Sequence, residues 1–156
     1  MNNKEISRIK ILLEKTYNGA AWHGASVMEI LNNISAKQAF KASKDIHRIC
    51  ELVQHNIAWR IFAVKRLEGD HHYEVSQREN WKAFTVQDDE AWTSIKSELE
   101  ESQERLINAL EKHNDHILNE EVHGKAYDYY TLIHGVIHHD LYHLGEIALL
   151  AKEIQD

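Results

Sequence analysis

The sequence contains no proline. Proline inside a helix removes an amide donor and collides with the preceding turn, so its absence suits long uninterrupted helices. There is a single cysteine, Cys50, which excludes an intramolecular disulfide framework and points to a reducing compartment. No apolar run approaches the ~20 residues that a membrane helix needs. The opening MNNKEISRIK also places charges where a secretory signal has its apolar segment. Basic residues are in deficit, with 18 Lys and Arg against 25 Asp and Glu, so that 18 − 25 = −7 with histidines neutral. That balance speaks against a nucleic-acid partner, because such binders concentrate basic charge on one face. A cytoplasmic protein with neither a membrane nor a nucleic-acid partner is the expectation.

What is present has the size and pattern of a helical domain. A chain of 156 residues, 43% hydrophobic, is long enough for one core without disulfide staples and predicts a single domain over 1–156. Four segments carry helical periodicity. The first runs from about Lys4 to Tyr17, with Ile6, Ile9, Leu12, Leu13 and Tyr17 on one stripe and Asn18-Gly19 as a stop. Ser26 with Glu29, and Ser35 with Gln38, read as capping boxes opening short helical pieces. The second long helix is expected from about Lys44 to Leu67. It is apolar along two stripes, Ile46, Val53, Ile57 and Val64 on one and Leu52, Trp59 and Phe62 on the other, which calls for neighbours on more than one side. The long connection from Asp70 to about Gln87 contains His71, His72, Tyr73, Trp81 and Phe84, and reads as an ordered segment lying across the bundle. Asp88 caps a third helix carrying Trp92, Ile95, Leu99, Leu106 and Leu110. The fourth runs from about Asp128 to Ile154. With no period-two strand pattern, the expectation is an all-α four-helix bundle.

Twelve residues are histidine, a compositional pointer to metal chemistry that arrangement alone can sharpen. At ~100° per residue, Leu132, Val136, His139, Ile147, Leu150 and Ile154 fall within roughly 40° of His143 on the fourth helix. His139 and His143 therefore lie in its most apolar stripe, while His134 and His138 fall on the opposite side. Residues four apart on a helix stack one above the other, close enough for two imidazoles to reach one ion. A third ligand must come from elsewhere, and His55, flanked by Leu52, Trp59 and Phe62, is the best placed. A single histidine on an apolar face, His55 taken alone included, reads first as a hydrogen-bonded core residue. Three on inward faces of two helices favour a metal site, for which zinc, nickel, copper and ferrous iron all suit imidazole.

HGVIHHDLYHLGEIALLAK resembles the closing motif of the DinB-like family, of the form GxxxHDxYHxGQIxLL, and YNGAAWHG and ICELVQHNIAW are similar to its two other signatures. The resemblance covers nearly the whole chain. It implies an up-down-down-up four-helix bundle, a homodimer, and a divalent metal (zinc, nickel or iron) held by His55, His139 and His143. Glu146 stands where that family usually has glutamine. Better understood relatives are metal-dependent transferases of low-molecular-weight thiols and related isomerases or hydrolases, which implies a small-molecule substrate and a thiol cofactor.

Three function classes follow. A metal-dependent enzyme would use the coordination position that three histidines leave open. Asp140 and Glu146, flanking the ligand stripe, are then candidates to orient imidazoles or transfer protons, against a plain reading as solvated flank residues. Trp22, His23 and Trp59 are candidates to line the pocket, against packing or capping roles. Cys50 reads as a small core residue. The second class is a non-catalytic metal- or ligand-binding bundle, and the third a histidine-rich pH sensor.

Overall fold

The computed structural model describes residues 3–42 and 46–154. Among them are seven α-helices, one 3-10 helix and no strand: α1 Lys4–Asn18, α2 Val27–Leu31, α3 Ala36–Phe40, α4 Ile49–Leu67, α5 Gln77–Asn80, α6 Asp89–Glu111 and α7 Tyr129–Glu153, with the 3-10 turn Asp115–Asn119 between the last two. Helix α4 packs against both α6 and α7, and α1 against the same two helices. The all-α expectation is met. No helix among the described residues is long and apolar enough to cross a membrane.

Local signals set most boundaries. Both Ser-x-x-(Glu/Gln) pairs form the expected reciprocal caps: Glu29 accepts from the Ser26 backbone amide at 2.7 Å, and Gln38 does the same for Ser35 at 3.0 Å. Asp88 accepts from the Ala91 amide at 2.8 Å to open α6, and Asp128 accepts from the Thr131 amide at 2.8 Å to open α7. Helix α4 starts later than its periodicity predicts. Lys44 lies outside the described residues, and Ile46 precedes the helix with its side chain 52% exposed. The physical cause is Glu51, whose carboxylate accepts from the Arg48 amide at 2.8 Å and from its guanidinium at 2.9 Å, fixing Arg48 as the residue before the first turn. Leu12, assigned to the α1 stripe from spacing, is 48% exposed, whereas Ile6, Ile9, Leu13 and Tyr17 are buried.

The core has two apolar halves. One gathers Val53, Ile57, Trp92, Leu99, Leu144 and Ile147; the other gathers Ile9, Leu13, Val64, Leu106, Leu110 and Ile133. Arg60, Gln103 and Asp140 occupy the intermediate positions of α4, α6 and α7, and all three are buried. Arg60 donates to Asp140 through Nη2 at 2.5 Å and through Nε at 3.4 Å, and its Nη1 donates to Gln103 Oε1. A guanidinium in such a place is tolerated only because its donors are paired. This polar layer corrects the sequence-based view of α7. Its buried face contains Ile133, Ile137 and Leu144 as well as Val136, His143 and Ile147, and is centred near Asp140. Asp140, expected as a flank residue, is 2% exposed.

The segment from Asp70 to Gln87 is ordered and lies across the bundle, as expected. Short α5 is capped by Ser76, which accepts from the Glu79 amide at 3.2 Å. Glu74 is tied to Arg66 at 2.7 Å and to Lys125 at 2.9 Å. Phe84 packs edge-on against Phe40 with ring centroids 5.8 Å apart.

Candidate metal centre

The level of the polar layer also carries three imidazoles. His55 comes from the middle of α4, and His139 and His143 from successive turns of α7; one ligand-capable atom of each lies within 4.8 Å of the others. Their ring centroids are 4.8, 4.8 and 4.6 Å apart. His55 and His143 are buried, while His139 is half-buried.

Hydrogen bonds fix which nitrogen of each ring is free, since the tautomer follows from the partner. His55 Nδ1 donates to the Asn80 backbone carbonyl at 3.2 Å. His143 Nδ1 donates to the Glu146 carboxylate at 2.5 Å. In both rings Nδ1 is thus engaged, and Nε2 is the nitrogen these partners do not hold. His55 Nε2 meets His139 Nε2 at 3.0 Å, a contact in which His139 donates. Two imidazole nitrogens at ~2.0–2.1 Å from one zinc-sized ion stand about 3 Å apart, so the spacing fits a shared ion with the His139 proton displaced. Carbonyl and carboxylate acceptors behind ligand histidines are the usual supports of such sites. Burial lowers the pKa of His55, with its neighbours His143 and His47 adding to the effect and the Asn80 carbonyl opposing it. Burial also lowers that of His139, to about 4, reinforced by His143, His55 and Arg60. Both rings are neutral near pH 7, the form that binds metal.

Aromatic rings hold His55 from outside. Trp81 stacks on it at 4.3 Å and 6°, and His47 stacks on the far face of Trp81 at 3.6 Å and 3°. The Trp59 indole donates to the Asn80 side-chain carbonyl at 3.0 Å, so Asn80 positions both His55 and Trp59. A cleft of about 440 Å³ opens beside the histidines, lined by His55, His139, Trp59, Tyr127, Leu132 and Val136 among others.

A model of the DinB superfamily matches residues 21–147, more than half of the chain and inclusive of all three histidines. The chain belongs to the DinB superfamily. No curated protein and no solved structure matches it.

In this DinB-superfamily chain the three histidines singled out from sequence are brought together, and Trp59 lines the adjoining cleft. Trp22 and His23 do not line it: Trp22 is 102% exposed and His23 is exposed in the turn after α1. Glu146 touches His143, whereas Asp140 is engaged by Arg60 and burial pushes its carboxyl pKa up against the opposing pull of that guanidinium. Cys50 is fully buried, and burial pushes its thiol up to about 11, away from nucleophilic use. His138 is exposed on the outer face of α7, and half-buried His134 tilts against Tyr130 at 4.1 Å. Sequence reasoning missed Asn80, because a backbone carbonyl leaves no trace in residue type. Arg60 left one, a fixed charge amid the apolar residues of α4, which requires a buried partner.

Proposed function

We propose that this protein binds one divalent ion through His55, His139 and His143 and uses it in a metal-dependent reaction of the low-molecular-weight thiol transferase or hydrolase type. The observation that carries the reading is the convergence of three imidazoles from two helices, with ligand-capable atoms within 4.8 Å of one another and with Nδ1 of His55 and of His143 held by Asn80 and Glu146. Zinc, nickel and iron all suit this donor set. When bound, such an ion supplies Lewis acidity at the end of the cleft.

The chain's own groups have distinct parts in this reading. Asn80 and Glu146 hold the rings of His55 and His143 in their ligand tautomers. Glu146 is half-exposed and in contact with His143, so it is the carboxylate placed to pass a proton between the site and solvent. Asp140 has both oxygens turned to Arg60 and serves as structural ballast for the ligand-bearing turn. Trp59 shields one side of the cleft from water. The up-down-down-up order of α1, α4, α6 and α7, a homodimer and a cytoplasmic setting belong to the same reading. Exposed Tyr142 and Leu149, seven residues apart on α7, offer apolar surface to a second copy.

Elemental analysis of purified protein tests the proposal. One metal per chain is expected, lost in His139→Ala and kept in His134→Ala. Folded protein that takes up no divalent metal under any loading condition would sink it, and equal loss in the two variants would refute the ligand assignment.

A further inference from the structure

The cleft beside the histidines specifies a class of ligand. Trp59, Tyr127, Leu132 and Val136 line it, with Thr131 the one aliphatic hydroxyl among the described residues that do so. Among the described residues no Lys, Arg, Asp or Glu lines it. Its volume of about 440 Å³ lies within the range of small-molecule sites, roughly 300–1,000 Å³. Trp59 is held in place by its bond to Asn80, so one aromatic wall is formed before any ligand arrives. Gly135, in mid-α7, also lines the cleft, and a Cβ added there meets nothing within 4 Å. No packing constraint of the fold requires glycine at this position. Its effect is to leave the helix backbone bare towards the cleft, where a flat group can approach it closely.

The geometry points to an uncharged, mainly apolar co-substrate bearing a ring or short branched chain, seated between Trp59 and the Gly135 backbone with its one polar group towards His55 and His139. This deepens the metal-dependent reading and rests on it for the direction of that polar group. In the metal-free protein a carboxylate-bearing molecule would lose its hydration in this cleft without meeting a fixed positive charge.

Benzyl alcohol and benzoate, which share a ring and differ in charge, test the assignment. Each is titrated into the full-length protein, metal-free and zinc-loaded, while the amide resonances of Thr131 and Gly135 are followed. In metal-free protein benzyl alcohol is expected to bind at least 10-fold more tightly than benzoate. Gly135→Leu should weaken it at least 10-fold, and Gly135→Ala by a smaller factor, with zinc stoichiometry unchanged and the melting temperature not lowered. Equal binding of the two probes to metal-free protein, or benzyl alcohol binding unaltered in both variants, would overturn the proposal. So would resonance shifts that follow protein concentration with no response to either probe, which would assign the cleft to a second copy. Zinc binding without probe binding would defeat the cleft assignment alone. Probe binding without zinc binding would defeat the metal reading and leave the apolar cleft standing.

Discussion

Asp140 and Glu146 show how little a carboxylate's residue type says about its task. They lie six residues apart on one helix, yet Asp140 is buried against Arg60 and Glu146 is half-exposed against His143. Removing one member of a buried ion pair strands the other, which typically costs about 3–5 kcal/mol. Asp140→Ala is therefore expected to lower unfolding stability by about that amount in urea denaturation. The double variant Arg60→Met/Asp140→Leu should be less destabilised than either single change. A double variant as unstable as Asp140→Ala would show that the pair is not the cause. In the proposed reading Glu146 supports His143 instead. Loss of a group that supports a ligand histidine usually weakens metal binding by about 10–100-fold, so Glu146→Ala should do so in a competition titration while unfolding of the metal-free protein is little changed. Glu146→Gln, which keeps an acceptor oxygen without the charge, should fall between.

At the scale of elements, the ends of α1 and α4 are fixed by carboxylates, and in α1 the carboxylate comes from far along the chain. Asp115, at the start of the 3-10 turn, accepts from the Ile6 amide at 2.9 Å and the Glu5 amide at 3.1 Å. It thus caps a helix more than a hundred residues earlier. Those amide bonds, Ile6 foremost, hold its pKa below the ordinary 3.8. A carboxylate with a depressed native pKa contributes stability that is present above its unfolded value and lost as pH falls through the native one. Asp115→Asn should therefore melt at a lower temperature than wild type near neutral pH. The gap should narrow in the acid range as pH drops below about 4. A gap constant between pH 7 and 2.5 in thermal scans would rule out the charge as its origin. The strap around α5 works differently, since Trp81 and Asn80 brace His55 through stacking and a backbone carbonyl, neither of which depends on charge.

For the whole molecule, the three-histidine cluster sits on a core already divided into two apolar halves. A core of that extent is expected to hold the fold without metal, unlike that of a small zinc module. Chelation should leave the far-ultraviolet helical signal in place and lower the melting temperature, because a ligand that binds only the native state adds about 2.7 kcal/mol at 100 times its dissociation constant. Collapse of the helical signal on chelation would contradict this picture.

Helix positions and the shared side of His139 and His143 were legible in the sequence because they rest on near-neighbour physics. Capping residues sit three positions from their targets, and residues four apart on a helix share a face whatever surrounds them, so Ser26, Ser35, Asp88 and the pair His139 and His143 could be assigned without a partner in view. His55 was legible for a weaker reason, a titratable ring set among large apolar neighbours. Only tertiary structure decided that Asp140 lies at the centre of the buried face of α7, since that depends on the guanidinium Arg60 brings from α4. It alone decided that Trp22 faces solvent while Trp59 walls a cleft, that Asn80 sets the tautomer of His55, and that Gly135 borders open space. Each of these turns on which surfaces meet across the core, and chain spacing carries no record of that.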